Sequence, residues 1–349
     1  MATKLGYNTS KGYGLSYSRL GTLHSCPRKF EIENVLGYRE QRQSVTFAYG
    51  HMVGAGIQEV LDHNDITKAI FNASLEWDMP DIMTLGSGQE IKVKKSFWDA
   101  VEMIEKFHAV VNSPYNSELR DLLVVDGYQV ADLETDSGVM KRGIEIDFQV
   151  KLNDGYTYEG HIDLLMFSPK LNKYLIVELK TTGFVNLHGS MYGNSEQALS
   201  YAVVLDAITR KTGASSSYKI VYIVATTQRK EFTVFPFIKT NSMRAEWITA
   251  VQLDAFMIEA YRATGLPFPA RGGDCYNFGR TCEYYGSCHG KNSNFKPLNK
   301  NQESFEETIP DFTFDVNDLI DAVQYNINNR HSVIASDRPD DEHYDVEII

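Results

Sequence analysis

Two short segments carry the residue types from which a hydrolytic metal site is built. Gly160-His161-Ile162-Asp163 supplies one carboxylate, and Val177-Glu178-Leu179-Lys180 supplies a second carboxylate and an amine. In an extended chain successive side chains alternate faces, so Glu178 and Lys180 point one way while Leu175, Val177 and Leu179 point into a core. A charged pair at the end of such an apolar run is costly to bury unless something binds it. With Asp163 on a neighbouring strand, Asp163 and Glu178 converge into a hard oxygen site suited to Mg2+ or Mn2+. An ion held there polarises a phosphate and acidifies a bound water, while Lys180 orients that water or stabilises developing charge. The competing reading for any isolated Glu-x-Lys is an ordinary salt bridge on a sheet surface.

The flanking sequence supplies strands and helices to position these groups. Ile144, Ile146, Phe148, Val150 and Leu152 alternate with Glu145, Asp147, Gln149 and Lys151, which predicts a half-buried strand. Asn153-Asp154-Gly155 is a hairpin signal, and a second strand follows from Tyr156 towards Phe167. After a loop over Ser168 to Lys173, Tyr174 to Lys180 forms a third strand. A helix from Ser195 to Thr209, strands at Tyr218–Ala225 and Phe232–Phe237, and a helix from Ser242 to Arg262 complete this region. Upstream, Ser16 caps a short helix, and Pro27 opens a second one that Gly37 ends. A third helix spans Ala48 to Asn64, with Val53, Ile57, Val60 and Leu61 in one stripe, and a fourth spans Ile91 to Val111. The order of elements gives the α/β class, a mixed central sheet flanked by helices.

Net charge is −12, but residues 301–349 hold 13 acidic and two basic residues, which leaves residues 1–300 at −1. A near-neutral body is compatible with a local basic groove. The apolar runs are too short to span a membrane, and Met1 to Gly6 lacks an apolar signal region, so a cytoplasmic protein is expected. Composition divides the chain into one domain over 1–290 and a second region over 291–349. In that region a linker leads to an amphipathic helix marked by Val316, Leu319, Ile320, Val323 and Ile327, and then to an acidic tail. The tail is either a docking segment for a protein partner or a solubilising disordered end. Cys26 stands far upstream of Cys275, Cys282 and Cys288. One cysteine plus three suits a metal centre that ties two ends of a domain together. Zinc and an iron–sulfur cluster both fit four thiolates, and the long spacings depart from the short ones of zinc knuckles.

Gly160-x-x-Asp163, Glu178-x-Lys180 and Gln197-x-x-x-Tyr201 occur in that order, with Ser16-Tyr17-Ser18-Arg19-Leu20 and Cys26-Pro27-Arg28-Lys29-Phe30 upstream. Together they resemble the RecB/AddB-type branch of the PD-(D/E)XK nucleases, which includes the AddB nuclease and the iron–sulfur exonucleases of CRISPR adaptation. The resemblance runs from about Ser16 to Cys288 and implies a restriction-endonuclease-like core with a helical four-cysteine region. It implies that Asp163 and Glu178 ligate metal together with the backbone carbonyl of Leu179, and that Lys180 is the catalytic lysine. It places Gln197 and Tyr201 near DNA, and a [4Fe–4S] cluster on Cys26, Cys275, Cys282 and Cys288. The family's Gly-x-x-x-His motif here reads Gly54-Ala55-Gly56-Ile57-Gln58, so Gln58 either ligates metal through its oxygen or packs. The implied activity is that of a DNA exonuclease acting on free ends or single strands. Its setting is recombination, repair or viral or CRISPR DNA processing, in a prokaryotic or virus-infected prokaryotic cell. A structure-specific endonuclease and a non-catalytic DNA-binding or assembly protein on a nuclease scaffold are the alternatives.

Overall fold

The computed structural model describes residues 13–36, 45–79, 82–84, 90–92, 95–113, 119, 121–193, 195–277, 280–286, 288 and 310–329. The alternating segments become the strands of one eight-stranded mixed sheet. They are Tyr13–Leu15 (β1), Gln129–Val130 (β2), Ile144–Asn153 (β3), Tyr156–Ser168 (β4), Lys173–Thr182 (β5), Ser215–Thr226 (β6), Glu231–Phe237 (β7) and Phe312–Asp315 (β8). The main order is β7-β6-β5-β4-β3-β8, with β1 and β2 both pairing β4. β3, β4 and β5 form an antiparallel meander, whereas β6 runs parallel to β5 and therefore needs a helical crossover.

Helices cover both faces. They are Tyr17–Ser25 (α1), Pro27–Phe30 (α2), Val45–His63 (α3), Ile66–Leu75 (α4), Phe97–Val111 (α5), Glu196–Thr212 (α6), Asn241–Ala263 (α7) and Val316–Asn328 (α8). The Ser16 hydroxyl caps α1 by accepting from Arg19 N at 3.4 Å. A core on one face joins the sheet to α1, α6, α7 and α8, and a second core on the other face joins it to α3, α4 and α5. Tyr174 and Ile176 enter the first core and Leu175 and Val177 the second. A strand buried on both sides reads as a continuous apolar run, which is the reason for Tyr174 to Val177. Among the described residues no helix is long and apolar enough to cross a membrane.

Two expectations need correction. The helix predicted over Ile91 to Val111 begins only at Phe97, where Ser96 accepts from Asp99 N at 3.2 Å. Glu90–Lys92 instead pairs as a strand with Ile82–Thr84. The second correction concerns the C-terminal region, of which residues 310–329 lie inside the fold. β8 runs parallel to β3, with Phe312 opposite Phe148 and Asp315 opposite Lys151. Phe312, Phe314, Leu319 and Val323 are buried in the first core, and Asp315 and Asp318 form a capping box on α8. Of the predicted stripe on α8, Val316, Leu319 and Val323 are thus buried within the chain, whereas Ile320 and Ile327 are exposed. Gly37, the linker at 291–303 and the acidic residues from 330 onward lie outside the described residues.

Truncating a buried aromatic in a closely packed core costs about 3–5 kcal/mol. Phe314→Ala is expected to lower unfolding stability by that order in urea titrations followed by circular dichroism. An unchanged midpoint would place β8 outside the cooperative fold.

Candidate active site and metal centre

The site forms where β4 changes neighbours. β1 pairs with β4 as far as Leu15 opposite Tyr158, and β5 takes over from Leu164 opposite Val177. Between those points residues 159–163 have no strand partner on that side among the described residues. The gap opens into a cavity of about 900 Å³ lined by Tyr17 and Arg19 of α1, Gln58 of α3, Lys180 of β5, and Gln197 and Tyr201 of α6. The pleat also reverses here. Ile146 and Ile162 face the first core, whereas Ile144 and Leu164, two residues away, face the second. On β3 the reversal coincides with Glu145, whose φ of 48° is left-handed. Gly160 is needed because a Cβ there would lie 2.5 Å from Phe148 Cζ, the ring on the strand opposite.

Register then sets three carboxylates in a row. Glu145 and Asp163 lie opposite each other, between the pairs Ile144–Leu164 and Ile146–Ile162. Glu178 stands one step beyond the pair Leu164–Val177, on the other side of Asp163. Asp163 Oδ2 accepts from Leu179 N at 3.1 Å. Glu178 is fully buried beneath the cavity. Its Oε1 stands 2.5 Å from Lys180 Nζ in an ion pair, and its Oε2 is buried with no hydrogen-bond partner. Burial pushes the Asp163 carboxyl up to about 6, with Lys180 and Leu179 N opposing the shift. Burial, and then the neighbouring Asp163, push Glu178 up to about 8.

Burial acts to lower the Lys180 pKa, but Glu178 and Asp163 outweigh it and the net direction is upward. The side chain is therefore an ammonium at neutral pH. Lys180 Nζ donates to Gln197 Oε1 at 3.0 Å, and Gln197 Nε2 donates to the Tyr201 hydroxyl at 2.7 Å. The i, i+4 spacing on α6 thus becomes a relay that holds the amine. Burial raises the Tyr201 phenol and keeps it protonated. Gln58, for which the sequence leaves an oxygen ligand and a packing residue open, turns its amide nitrogen to the strands. Its Nε2 donates to Glu145 Oε1 at 2.7 Å and to the Asp163 carbonyl at 2.9 Å. Two acceptors fix the nitrogen towards the acidic row, so the amide holds both strands as a donor. Sequence reasoning counted Glu145 as a solvent-side strand residue and missed it.

An orphaned carboxylate oxygen under a second carboxylate suits a hard divalent cation, which such oxygen donors bind while waters fill its remaining positions. Asp163 and Glu178 fit that role. Among the described residues no three His, Cys, Asp or Glu side chains already form a group that could hold an ion. The same applies to the four cysteines, all free thiols. Cys26 precedes α2, and Arg28 N donates to Pro269 O at 3.1 Å, drawing the C-terminal cysteine region against that helix. Cys282 N donates to Cys275 O and Cys288 N to Tyr284 O, each at 2.8 Å. Burial raises the Cys288 thiol, and the charges of Cys26 and Cys275 add to the shift. Among the described residues the four cysteines do not form a closed site.

The family model described as the PD-(D/E)XK nuclease superfamily matches residues 14–289, and the chain belongs to that superfamily. A solved structure from Eubacterium rectale described as "Putative exonuclease" is similar at 13% identity, with a TM-score of 0.45, over 84% of this chain and 94% of that one. No curated protein matches the chain.

The two raised carboxyls set the sign of a pH effect. Their unfolded values lie near 4, so between about pH 4 and 8 the native state binds more protons than the unfolded chain. That stability is fully present below the unfolded values and is lost as pH rises through 6 and 8. In EDTA the melting temperature is expected to fall across this window, and Glu178→Gln is expected to flatten the slope. A wild-type melting temperature that rises from pH 6 to 8 in EDTA would contradict the assignment.

Proposed function

We propose that this chain is a metal-dependent DNA exonuclease that hydrolyses phosphodiester bonds at free ends or in single strands, in DNA recombination, repair or viral or CRISPR DNA processing. The observation that carries the reading is the buried Glu178, with one oxygen unpartnered, beside Asp163 and Lys180 under an open cavity. Asp163, Glu178 and the Leu179 carbonyl would hold Mg2+ or Mn2+, which supplies Lewis acidity to a phosphate and acidifies a water. Lys180, already protonated, cannot remove a proton. It donates hydrogen bonds to negative charge developing on the phosphate oxygens, and Gln197, braced by Tyr201, keeps its Nζ in place. Arg19 lines the cavity beside His51 and His161, and its guanidinium attracts the phosphodiester backbone. Tyr17 and Phe47 are exposed at its wall and offer ring faces to unstacked bases, which favours single strands or frayed ends over intact duplex.

The four cysteines enter the proposal as a separate centre, a [4Fe–4S] cluster or a zinc ion. What supports it is their one-plus-three spacing and the hydrogen bond from Arg28 N to Pro269 O, which draws the C-terminal cysteine region against the helix that follows Cys26. It requires the sulfurs to draw closer than they stand. Iron, sulfide and zinc analysis after anaerobic purification decides it, and protein lacking all three retires the centre.

Asp163→Asn, Glu178→Gln and Lys180→Met are each expected to cut the rate on linear single-stranded DNA with Mg2+ or Mn2+ by about a thousandfold. Closed circular DNA is expected to survive. Wild-type rates in Asp163→Asn and Glu178→Gln would end the nuclease reading, and cutting of circles would replace the exonuclease by an endonuclease.

A further inference from the structure

The geometry points to Glu145 as a third carboxylate of the cation site, positioned by Gln58 and by a strut from Asp311, the residue that leads into β8; this rests on the nuclease reading above. Glu145 is an odd choice for its position on every local ground. Its left-handed φ of 48° is one that non-glycine residues adopt rarely. It stands opposite Asp163 in the sheet, and like charges directly opposite each other destabilise a strand pair. It adds unfavourably to the charge on both Asp163 and Glu178. Residues held in disfavoured conformations cluster where function requires them.

The surroundings grip this residue from several sides. Gln58 Nε2 donates to its Oε1 at 2.7 Å. Lys141 Nζ donates to its carbonyl at 2.7 Å and pairs with Asp311 Oδ2 at 2.5 Å. The same Asp311 oxygen accepts from Asp147 N at 2.8 Å. Thus the residue that leads into β8 fastens the backbone on both sides of the reversal. Glu178 Oε2, buried and without a hydrogen-bond partner, points independently to a ligand at the same place. Charge balance agrees: three carboxylates, the Lys180 ammonium and one divalent ion sum to zero, whereas two carboxylates leave an excess positive charge in a partly buried site. The three carboxylates do not form a closed group on their own, so Glu145 ligates the ion through a water, or directly once the ion draws them together. Gln58, Lys141 and Asp311 are positioning residues.

The test uses the full chain and Mn2+ alone, with free Mn2+ read by its electron paramagnetic resonance signal at pH 8 and melting temperatures read in EDTA. Glu145→Gln and Glu145→Gly are each expected to weaken Mn2+ binding by about 10- to 100-fold. Glu145→Gly is also expected to raise the melting temperature in EDTA, because glycine accepts the left-handed φ and removes the repulsion. Asp311→Asn is expected to weaken Mn2+ binding in the wild-type background and to add nothing to Glu145→Gln. Wild-type Mn2+ affinity in both Glu145 variants, with loss in Asp163→Asn, would overturn the inference and leave the nuclease site standing. Wild-type affinity in Asp163→Asn as well would remove both.

Discussion

The structure depends on one electrostatic constraint: Glu178 is fully buried next to a second carboxylate, with a single ammonium to offset them. Two like charges taken out of water are expensive, and one lysine does not neutralise both. The protein's own partial remedies are visible. Lys180 is held close by Gln197, Leu179 N donates to Asp163, and both acids have raised proton affinity. On the proposed reading a divalent cation would offset the negative charge that these contacts leave, with Glu145 as the third carboxylate, and the same ion would supply Lewis acidity for phosphodiester hydrolysis.

The scaffold delivers that constraint by an irregularity in an otherwise ordinary sheet. A continuous strand pairing along β4 would have filled the space at residues 159–163 with backbone. Because the pairing of β4 with β1 ends at Tyr158 and its pairing with β5 begins at Leu164, the space is open to side chains from helices on both faces. α3 reaches it from one layer and α6 from the other, so the two cores meet at the site. The buried pair of Arg244 and Asp206, joined by Tyr218, ties α7 to α6 and to β6, and so stiffens the layer that carries Gln197. β8 and α8 close the far edge of the sheet and reach back through Asp311 towards the reversal in β3.

Much of this was legible in the sequence where a pattern ran long enough to be unambiguous. The alternation from Ile144 to Leu152, the apolar run at Tyr174 to Val177 and the stripe on α3 led to the sheet and its flanking helices. Asp163, Lys180, Gln197, Tyr201 and Gln58 line one cavity, and Glu178 is buried next to Asp163 and Lys180. The role of Glu145 was hidden by a single residue. A regular two-residue turn at Asp154-Gly155 would put Ile146 opposite Asp163, but a bulge between Lys151 and Asn153 shifts the register and brings Glu145 there. The alternation of Phe312 and Phe314 is too short to announce a strand, so β8 read as part of a tail. The orientation of the Gln58 amide depends on two acceptors from other elements and has no local signal.

The most direct measurement of the central claim is anomalous X-ray diffraction from crystals of the full chain grown with Mn2+. A manganese peak between the Asp163 and Glu178 carboxylates, within ligand distance of both, is the expected result. Full occupancy elsewhere in the molecule, with those two carboxylates untouched, would contradict it.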